Sequence, residues 1–279
     1  MTTVLTGLVG DHIGESGSPR MHQQEAADQG FALEYHLYDL AGRKQNSQSL
    51  ARVLEEAHQA GYAGLNITHP YKQAVMPLLD ALSPTAARVG AVNTVIFHDQ
   101  GRIGHNTDSP GFREAYLQEF SAVSRNRVLQ LGAGGAGAAV TIALLELGVD
   151  ELFLFDPDTS RAEALASKCQ ALNTQTRITA LKAIDEKPSD ICGLVNASPI
   201  GMSATPGLPC PPGLLKSGQW VVDIIYFPLK TAFLQQAQSL GCLTMNGLPM
   251  AIHQAAKAFE LFTGKPADTS RMMQRFLSS

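Results

Sequence analysis

The segment Leu131-Gly132-Ala133-Gly134-Gly135-Ala136-Gly137 spaces its glycines as G-x-G-x-x-G, directly after an apolar run at 128–131 and ahead of a helical pattern from residue 138. In that setting each glycine has a task in holding a dinucleotide. Gly132 permits the tight turn, Gly134 lets the backbone approach a pyrophosphate, and Gly137 lets helix and strand pack closely. Ala133, Gly135 and Ala136 complete the loop at a helix N-terminus, whose unpaired N–H groups and dipole favour phosphate oxygens. A glycine turn can also serve packing alone; the flanking strand and helix are what favour the nucleotide. Two acids, Asp156 and Asp158, follow Gly137 by 19 and 21 residues, close to the spacing at which a carboxylate grips ribose hydroxyls in NAD sites. Asp158 is the first candidate and Asp156 the second. A carboxylate there repels the 2′-phosphate of NADP, so NAD is the expected cofactor and NADP the less favoured one. Asp158 also suits the N-cap of a helix starting at Thr159, and Arg161, one turn in, is a cation within reach of a 2′-phosphate.

These residues need strands and helices to aim them. From residue 4 to about 120, apolar runs at 4–9, 33–40, 64–68 and 93–97 alternate with helical patterns near 19–29, 47–60 and 71–82. That alternation reads as βαβ units around a mostly parallel sheet. After a polar patch at 121–127 a second series begins, with strands at 128–131, 152–155, 194–197 and 220–226 and helices at 138–147 and 159–172. The chain ends in helices. Residues 249–262 place Ile252, Ala255, Ala256, Phe259 and Phe262 on one apolar stripe, and 269–277 follow. The proline-rich stretch 206–212 reads as a surface loop.

Composition narrows the function. A chain of 279 residues accommodates two modest domains with proper cores. Twenty-one Lys and Arg against 25 Asp and Glu give a net charge of −4, which supplies no counterion-release drive toward nucleic acid. The four cysteines, Cys169, Cys192, Cys210 and Cys242, are too scattered for a C-x-x-C site and too few for a disulfide framework. Cys210 reads as inert, His58 and His98 as solvated, and no histidine pair has ligand spacing, so no metal is expected. No basic run precedes an apolar segment at the start, and no stretch nears 18 uninterrupted apolar residues. A cytoplasmic protein with no nucleic-acid or membrane partner is expected; oligomeric state is not legible.

Beyond the glycine loop, a series of motifs resembles the shikimate/quinate dehydrogenase family. Ser16-Gly17-Ser18-Pro19 is similar to its S-x-S-P loop, and Asn66-Ile67-Thr68-His69-Pro70-Tyr71-Lys72 to its N-[VI]-T-x-P-x-K segment. Gly90-Ala91-Val92-Asn93-Thr94 and Gly104-His105-Asn106-Thr107-Asp108 resemble its GAxNT and GxNTD elements. Asn196 through Met202, Asp223 through Pro228 and Gly247 through Gln254 carry the resemblance along nearly the whole chain. It implies an α/β protein: an N-terminal substrate-binding α/β domain (1–120), a Rossmann-type doubly wound dinucleotide-binding domain (121–246), and C-terminal helices (247–279) packing back on the first domain. It also implies hydride transfer between NAD and a small cyclic polyhydroxy carboxylic acid, with Lys72 and Asp108 facing the reacting hydroxyl as the catalytic pair. Ser16 and Ser18 then bind the carboxylate, and Thr68, Asn93, Asp108 and Gln254 meet ring hydroxyls. Tyr226 is placed near substrate or nicotinamide, Gly247 and Met250 near the nicotinamide, and Asn196, Ser198 and Pro199 along the cofactor wall.

The residues around Lys72 agree with that role. Pro70 keeps His69 out of the helical region and forces a turn at the C-terminal edge of the strand 64–68, where open α/β folds build their sites. A lysine at a helix start also opposes the helix dipole, which marks placement for function. A neighbouring carboxylate favours charged lysine and desolvation favours the neutral amine. Both roles therefore stay open: general base in oxidation, or holder of a proton that polarises the carbonyl in reduction. Ser18, before Pro19, is equally an ordinary helix cap.

The sequence departs from NADP-using members of the family at Asp156-Pro157-Asp158, where they carry Asn-Arg-Thr. It resembles instead the NAD-using quinate/shikimate branch, including Ser18, Pro19, Met21 and His22. Gly17 is expected to enlarge the pocket or loosen its loop, which leaves quinate, shikimate and an amino-shikimate analogue open as substrates. The alternative to an enzyme is a non-catalytic sensor of NAD and ring acid.

Overall fold

Short apolar runs make central strands where both faces can be covered. In the computed structural model, which describes residues 3–42, 47–99, 101–120, 122–172 and 175–278, β1 (Val4–Gly10) pairs in parallel with β2 (Leu33–Asp39) and β3 (Gly64–Ile67). Helices α1 (Ser18–Asp28) and α2 (Ser47–Gln59) are the crossovers. Beyond β3 the sheet reverses. β5 (Thr94–His98) runs antiparallel to both β3 and β6 (Gly101–His105), and the two-residue β4 (Ala81–Leu82) pairs in parallel with β6. The order is β2-β1-β3-β5-β6-β4, a mixed sheet rather than the mostly parallel one expected. The antiparallel pairing of β5 with β6 follows from chain length, because the two stand too close in sequence for the dozen or more residues that a parallel crossover needs.

The helix expected at 71–82 does not form. Residues 69–75 are consecutive turns, followed by one 3-10 turn at Met76–Leu78 and, after β4, by the short helix α3 (Pro84–Val89). The Lys72 carbonyl, which a helix would give to Met76, accepts instead from Val92 N–H at 2.8 Å, and Pro77 has no N–H to donate.

The chain divides into two compact units, Met1–Gly111 with Ile252–Ser279, and Phe112–Ala251. In the first, alternation along β1 sends Val9 to a cluster with Leu50, Leu54, Leu65 and Val95, and Leu8 to one with Ala26, Leu33, Tyr35 and Phe259. Phe259 lies on α8 (Leu248–Thr263), whose Ala258 and Phe262 also pack on Ile96. α9 (Thr269–Leu277) is fixed by Arg271, which donates to both oxygens of the buried Glu25 carboxylate, Nη2 at 2.6 Å and Nε at 3.1 Å. Asp268 N–H and Gln29 Nε2 complete the shell of that carboxylate, which a buried charge requires.

α4 (Asp108–Glu119), read from sequence as the end of the first domain, spans the division. Its Tyr116 packs edge-on against Trp220 and the following Phe120 lies tilted against the same ring, at centroid distances of 5.0 and 5.7 Å, as part of the second unit. That unit is a parallel sheet in the order β12-β11-β10-β7-β8-β9, the doubly wound arrangement. Its strands are β7 (Arg127–Leu131), β8 (Glu151–Phe155), β9 (Arg177–Ala180), β10 (Gly193–Asn196), β11 (Trp220–Asp223) and β12 (Leu243–Met245). α5 (Gly135–Glu146) and α6 (Thr159–Gln170) follow β7 and β8, and α7 (Ala232–Ser239) precedes β12. The edge strands β9 and β12 are short and half-covered, which leaves little periodic signal to read. Among the described residues no helix is long and apolar enough to cross a membrane.

His22 on α1 is buried against Tyr35, Phe259 and Phe262, and its Nδ1 has no hydrogen-bond partner among the described residues. Burial pushes its pKa down to about 3. Between about 6.5 and 3 the unfolded chain therefore binds a proton that the folded chain refuses, so stability falls as pH falls through this window. From pH 7 to pH 4.5 this group is expected to cost about 2 to 3 kcal/mol. Urea unfolding of the wild type and His22→Phe at the two pH values measures it as the difference between their losses. Equal losses would show that His22 accepts a proton within the fold.

Candidate active site

The loops that carry the site's side chains leave the C-terminal edge of β1, β2 and β3. Asp39, ending β2, accepts the N–H groups of His12 and Ile13 at 3.1 and 3.2 Å and so pins the loop after β1. Backbone donors, foremost Ala41 N–H, hold its carboxyl below the usual range. Asp11 N–H donates to the His69 carbonyl, and Tyr71 Oη donates to Asp11 at 2.8 Å. The loop with Ser16 and Ser18 is thereby stitched to the one with Thr68 and Lys72.

α1 begins at Ser18 with Gly17 at its N-cap and no side-chain cap bond. The Ser18 hydroxyl is therefore not a helix cap, and its N–H donates to Ser16 Oγ at 3.3 Å. A Cβ on Gly17 would stand 2.8 Å from the Phe276 ring. Gly17 makes room for that ring on α9.

Lys72 lies in a turn rather than at a helix start, so the dipole argument does not apply to it. Its placement comes from the backbone bond to Val92. Lys72 Nζ meets Asp108 Oδ2 at 2.6 Å, and the two side chains are only 18% and 8% exposed. Asp108 is the first residue of α4, where the dipole favours a carboxylate. Its other oxygen accepts from Asn93 Nδ2 at 2.8 Å. Asn93 is saturated: Nδ2 also donates to Thr107 Oγ1, while Oδ1 accepts Thr107 N–H and the Thr94 hydroxyl. A ring hydroxyl reaches Asn93 only by displacing one of these partners. Thr107 Oγ1 also lies 3.4 Å from Gln254 Oε1 on α8, so Lys72, Asp108, Asn93 and Gln254 form one connected polar cluster. Thr68, half-buried, leaves the same edge through its N–H bond to Val9.

In the second unit the glycine loop sits between the C-terminal ends of β7 and β10. The strand order reverses there, and doubly wound sheets bind ligands at that point. Gly132 has φ 98°, and a Cβ on it would stand 2.8 Å from the Ala197 backbone; a Cβ on Gly137 would overlap the Gly132 carbonyl. The protein itself requires both glycines. Gly134 differs: its φ of −74° suits any residue, and a Cβ there would meet no atom of the described residues within 4 Å. The space in front of the α5 N-terminus is open, as a pyrophosphate requires. The loop, with Ala133, Gly135 and Ala136, thus fits a dinucleotide.

Buried Gln130, which sequence reading missed, donates to the Gly132 and Gly137 carbonyls at 2.8 and 3.0 Å and holds the loop from within. Asp156 holds it from outside, accepting Ala133 N–H at 2.8 Å and Asp158 N–H at 3.0 Å. Both oxygens of Asp156 are thus engaged by the backbone. Asp158 is exposed, caps α6 through Ser160, and meets Arg161 Nε at 3.3 Å. The bond from Ser160 is the main cause holding its carboxyl below the usual range. Cap and exposed charge coexist in that one side chain.

Asn196 is fully buried: Oδ1 accepts from the Ser198 N–H and hydroxyl, and Nδ2 donates to Ile200 O and Asp223 Oδ1. Asn196 and Ser198 therefore shape the turn that presents the exposed Pro199. Burial pushes the Asp223 carboxyl up to about 6. At Gly247 the close backbone approach is to the protein's own Ile224 carbonyl, which a Cβ would overlap. Met250 is buried, and Tyr226 is half-buried with its phenol pKa raised by that burial. Cys210 is buried, and desolvation pushes its thiol up to about 12, leaving it unreactive.

Residues 8–95 match the family model of the shikimate dehydrogenase substrate binding domain, and residues 247–275 that of the shikimate 5′-dehydrogenase C-terminal domain. The chain is also 43% identical over 279 residues to the quinate/shikimate dehydrogenase (NAD(+)) of Corynebacterium glutamicum (strain R), covering 99% of each. The chain belongs to the shikimate/quinate dehydrogenase family. Within that family it is 44% identical over 275 residues to the shikimate dehydrogenase (NADP(+)) of Pseudarthrobacter chlorophenolicus, covering 98% of this chain and 94% of that one. The solved quinate dehydrogenase from Corynebacterium glutamicum in complex with NAD has a TM-score of 0.92 and 43% identity, with 99% of each chain covered. As a shikimate/quinate dehydrogenase, the protein is an NAD(P)-dependent oxidoreductase.

Proposed function

We propose that this dehydrogenase interconverts quinate or shikimate with the 3-dehydro acid and prefers NAD. The observation that carries the proposal is the 2.6 Å contact between Lys72 Nζ and Asp108 Oδ2, two charged groups almost withdrawn from water. The bound nicotinamide supplies the hydride acceptor or donor. In the reduction direction Lys72 gives a proton to the carbonyl oxygen while Asp108 orients the ammonium and stabilises its charge. Oxidation runs the same path backward, and the hydroxyl proton returns to the Lys72 amine. Ser16 and Ser18 take the ring carboxylate, and Thr68, Asp108 and Gln254 take ring hydroxyls, which Asn93 meets only on giving up one of its present partners. Fixed polar partners of this kind reject an analogue that lacks one hydroxyl, because a buried group is then left unpaired.

Gly132 through Gly137 would cradle the pyrophosphate, Asp158 the ribose hydroxyls, and Pro199, Gly247 and Met250 the cofactor wall. Asp156, Asn196 and Ser198 act by holding those loops in shape. The exposed Asp158 carboxylate supports NAD. Its partner Arg161 is already engaged with it, and Pro157 supplies no cation for a 2′-phosphate.

Absorbance at 340 nm, with quinate and shikimate each crossed against NAD and NADP, tests the reading. The expected kcat/KM with NAD exceeds that with NADP by about tenfold or more, the factor given by roughly 1.4 kcal/mol of charge repulsion. Asp158→Ala is expected to narrow the ratio. Equal or better use of NADP would reject the cofactor preference. No turnover in any combination would reject both substrates and leave another ring acid or a sensor.

A further inference from the structure

Asn93 holds one oxygen of Asp108, and the structure shows what holds Asn93. The Tyr35 hydroxyl donates to Asn66 Oδ1 at 2.8 Å, which fixes that amide with its nitrogen pointing onward. Asn66 Nδ2 donates to Thr94 Oγ1 at 3.0 Å and to the Asn93 carbonyl at 3.3 Å. The Thr94 hydroxyl, with a lone pair occupied by Asn66, donates its proton to Asn93 Oδ1 at 3.1 Å. Asn93 Nδ2 donates to Asp108 Oδ1 at 2.8 Å, and Lys72 takes the other oxygen. Every bond in the series donates in the same direction, from Tyr35 toward the carboxylate. Tyr35, Asn66, Thr94 and Asn93 are all buried, Thr94 completely. In such surroundings a flipped Asn93 amide would set its carbonyl against the Asp108 carboxylate and leave buried donors unpaired.

We infer that Tyr35, Asn66 and Thr94 are positioning residues for the proton-handling pair: their one-way donor chain locks Asn93 so that Asp108 offers a single oxygen to Lys72. The inference rests on the role given to Lys72 and Asp108 in the proposed function. Tyr35 and Thr94 touch neither of them directly, and their effect passes through Asn66 and Asn93.

The test compares Thr94→Val, Thr94→Ser and Tyr35→Phe with the wild type in the full-length enzyme. Thr94→Val keeps the shape and removes the hydroxyl. It is expected to lower kcat about tenfold, the value of one buried hydrogen bond, with KM changed by less than about twofold. Thr94→Ser, which keeps the hydroxyl, should restore the rate. Tyr35→Phe should move kcat in the same direction as Thr94→Val, again with little change in KM, and it decides the matter if Thr94→Val does not fold. The inference is overturned if Thr94→Ser is as slow as Thr94→Val, or if the loss falls on KM rather than kcat. Normal kcat in both Thr94→Val and Tyr35→Phe would also overturn it, and if Lys72→Ala is inactive in the same assay the proposed function survives that failure. If Lys72→Ala retains activity, the proposed function and this inference fall together.

Discussion

Lys72→Ala should lower kcat by about 10² to 10⁴ while KM moves far less, the range expected for a side chain that transfers a proton in the transition state. The reason is local. Lys72 Nζ is bonded to Asp108 Oδ2 and is only 18% exposed, so bulk water has little access to substitute for it. Asp108→Asn keeps the shape and removes the charge that holds the ammonium, and it should fall in the same range. The double variant should be scarcely slower than either single one, because groups that act as a unit lose their contribution once. Steady-state kinetics of the four proteins decide the point. A loss below about tenfold for Lys72→Ala would remove the lysine from proton transfer.

Gly134→Val should fold as the wild type does and yet fail to bind the dinucleotide. A Cβ at this position meets no atom of the described residues within 4 Å, and the backbone there is extended, with φ −74° and ψ −167°, which a β-branched residue accepts. The added methyl groups would occupy the opening before the α5 N-terminus. A clash of about 3 kcal/mol corresponds to roughly 100-fold weaker NAD binding. Melting temperature without NAD should be unchanged, and the rise that saturating NAD gives the wild type should be absent. Gly137→Ala is the contrasting case. Its Cβ overlaps the Gly132 carbonyl, so it should lower the melting temperature even without ligand. Normal NAD affinity in Gly134→Val would mean that the pyrophosphate does not approach this loop.

The glycine loop and both helices at the chain's end were legible because their signals are local: glycine spacing after an apolar run, and one apolar stripe from Ile252 to Phe262. Lys72 and Asp108 were legible only through motifs, since nothing in their own neighbourhoods says that residues 36 apart make a 2.6 Å contact. What escaped reading depends on distant partners. The turn around Lys72 exists because Val92 takes its carbonyl, and β5 reverses the sheet because it must pair with both β3 and β6. What a side chain would meet at Gly17 and Gly247 was equally illegible: the Phe276 ring at the one and the Ile224 carbonyl at the other. Gln130 was passed over, and Asn66 and Thr94 stood in the motifs without a site role, because a buried amide or hydroxyl shows no periodicity; its purpose appears only once its acceptors are in place.

The first unit is assembled from the two ends of the chain, with Phe112–Ala251 between them. A ribosome delivers this chain from the N-terminus at about 5 to 20 residues per second, so the opening sheet emerges first and waits longest. Until Ala258, Phe259 and Phe262 leave the exit tunnel, Leu8, Tyr35 and Ile96 lack their covering helix, and until Arg271 follows, Glu25 lacks its counter-ion. The intervening unit has every strand of its own sheet by then and can close while the older segment is still open. Order of synthesis and order of completion are thus reversed. A stop codon a few turns early would disable the part of the protein that was made first.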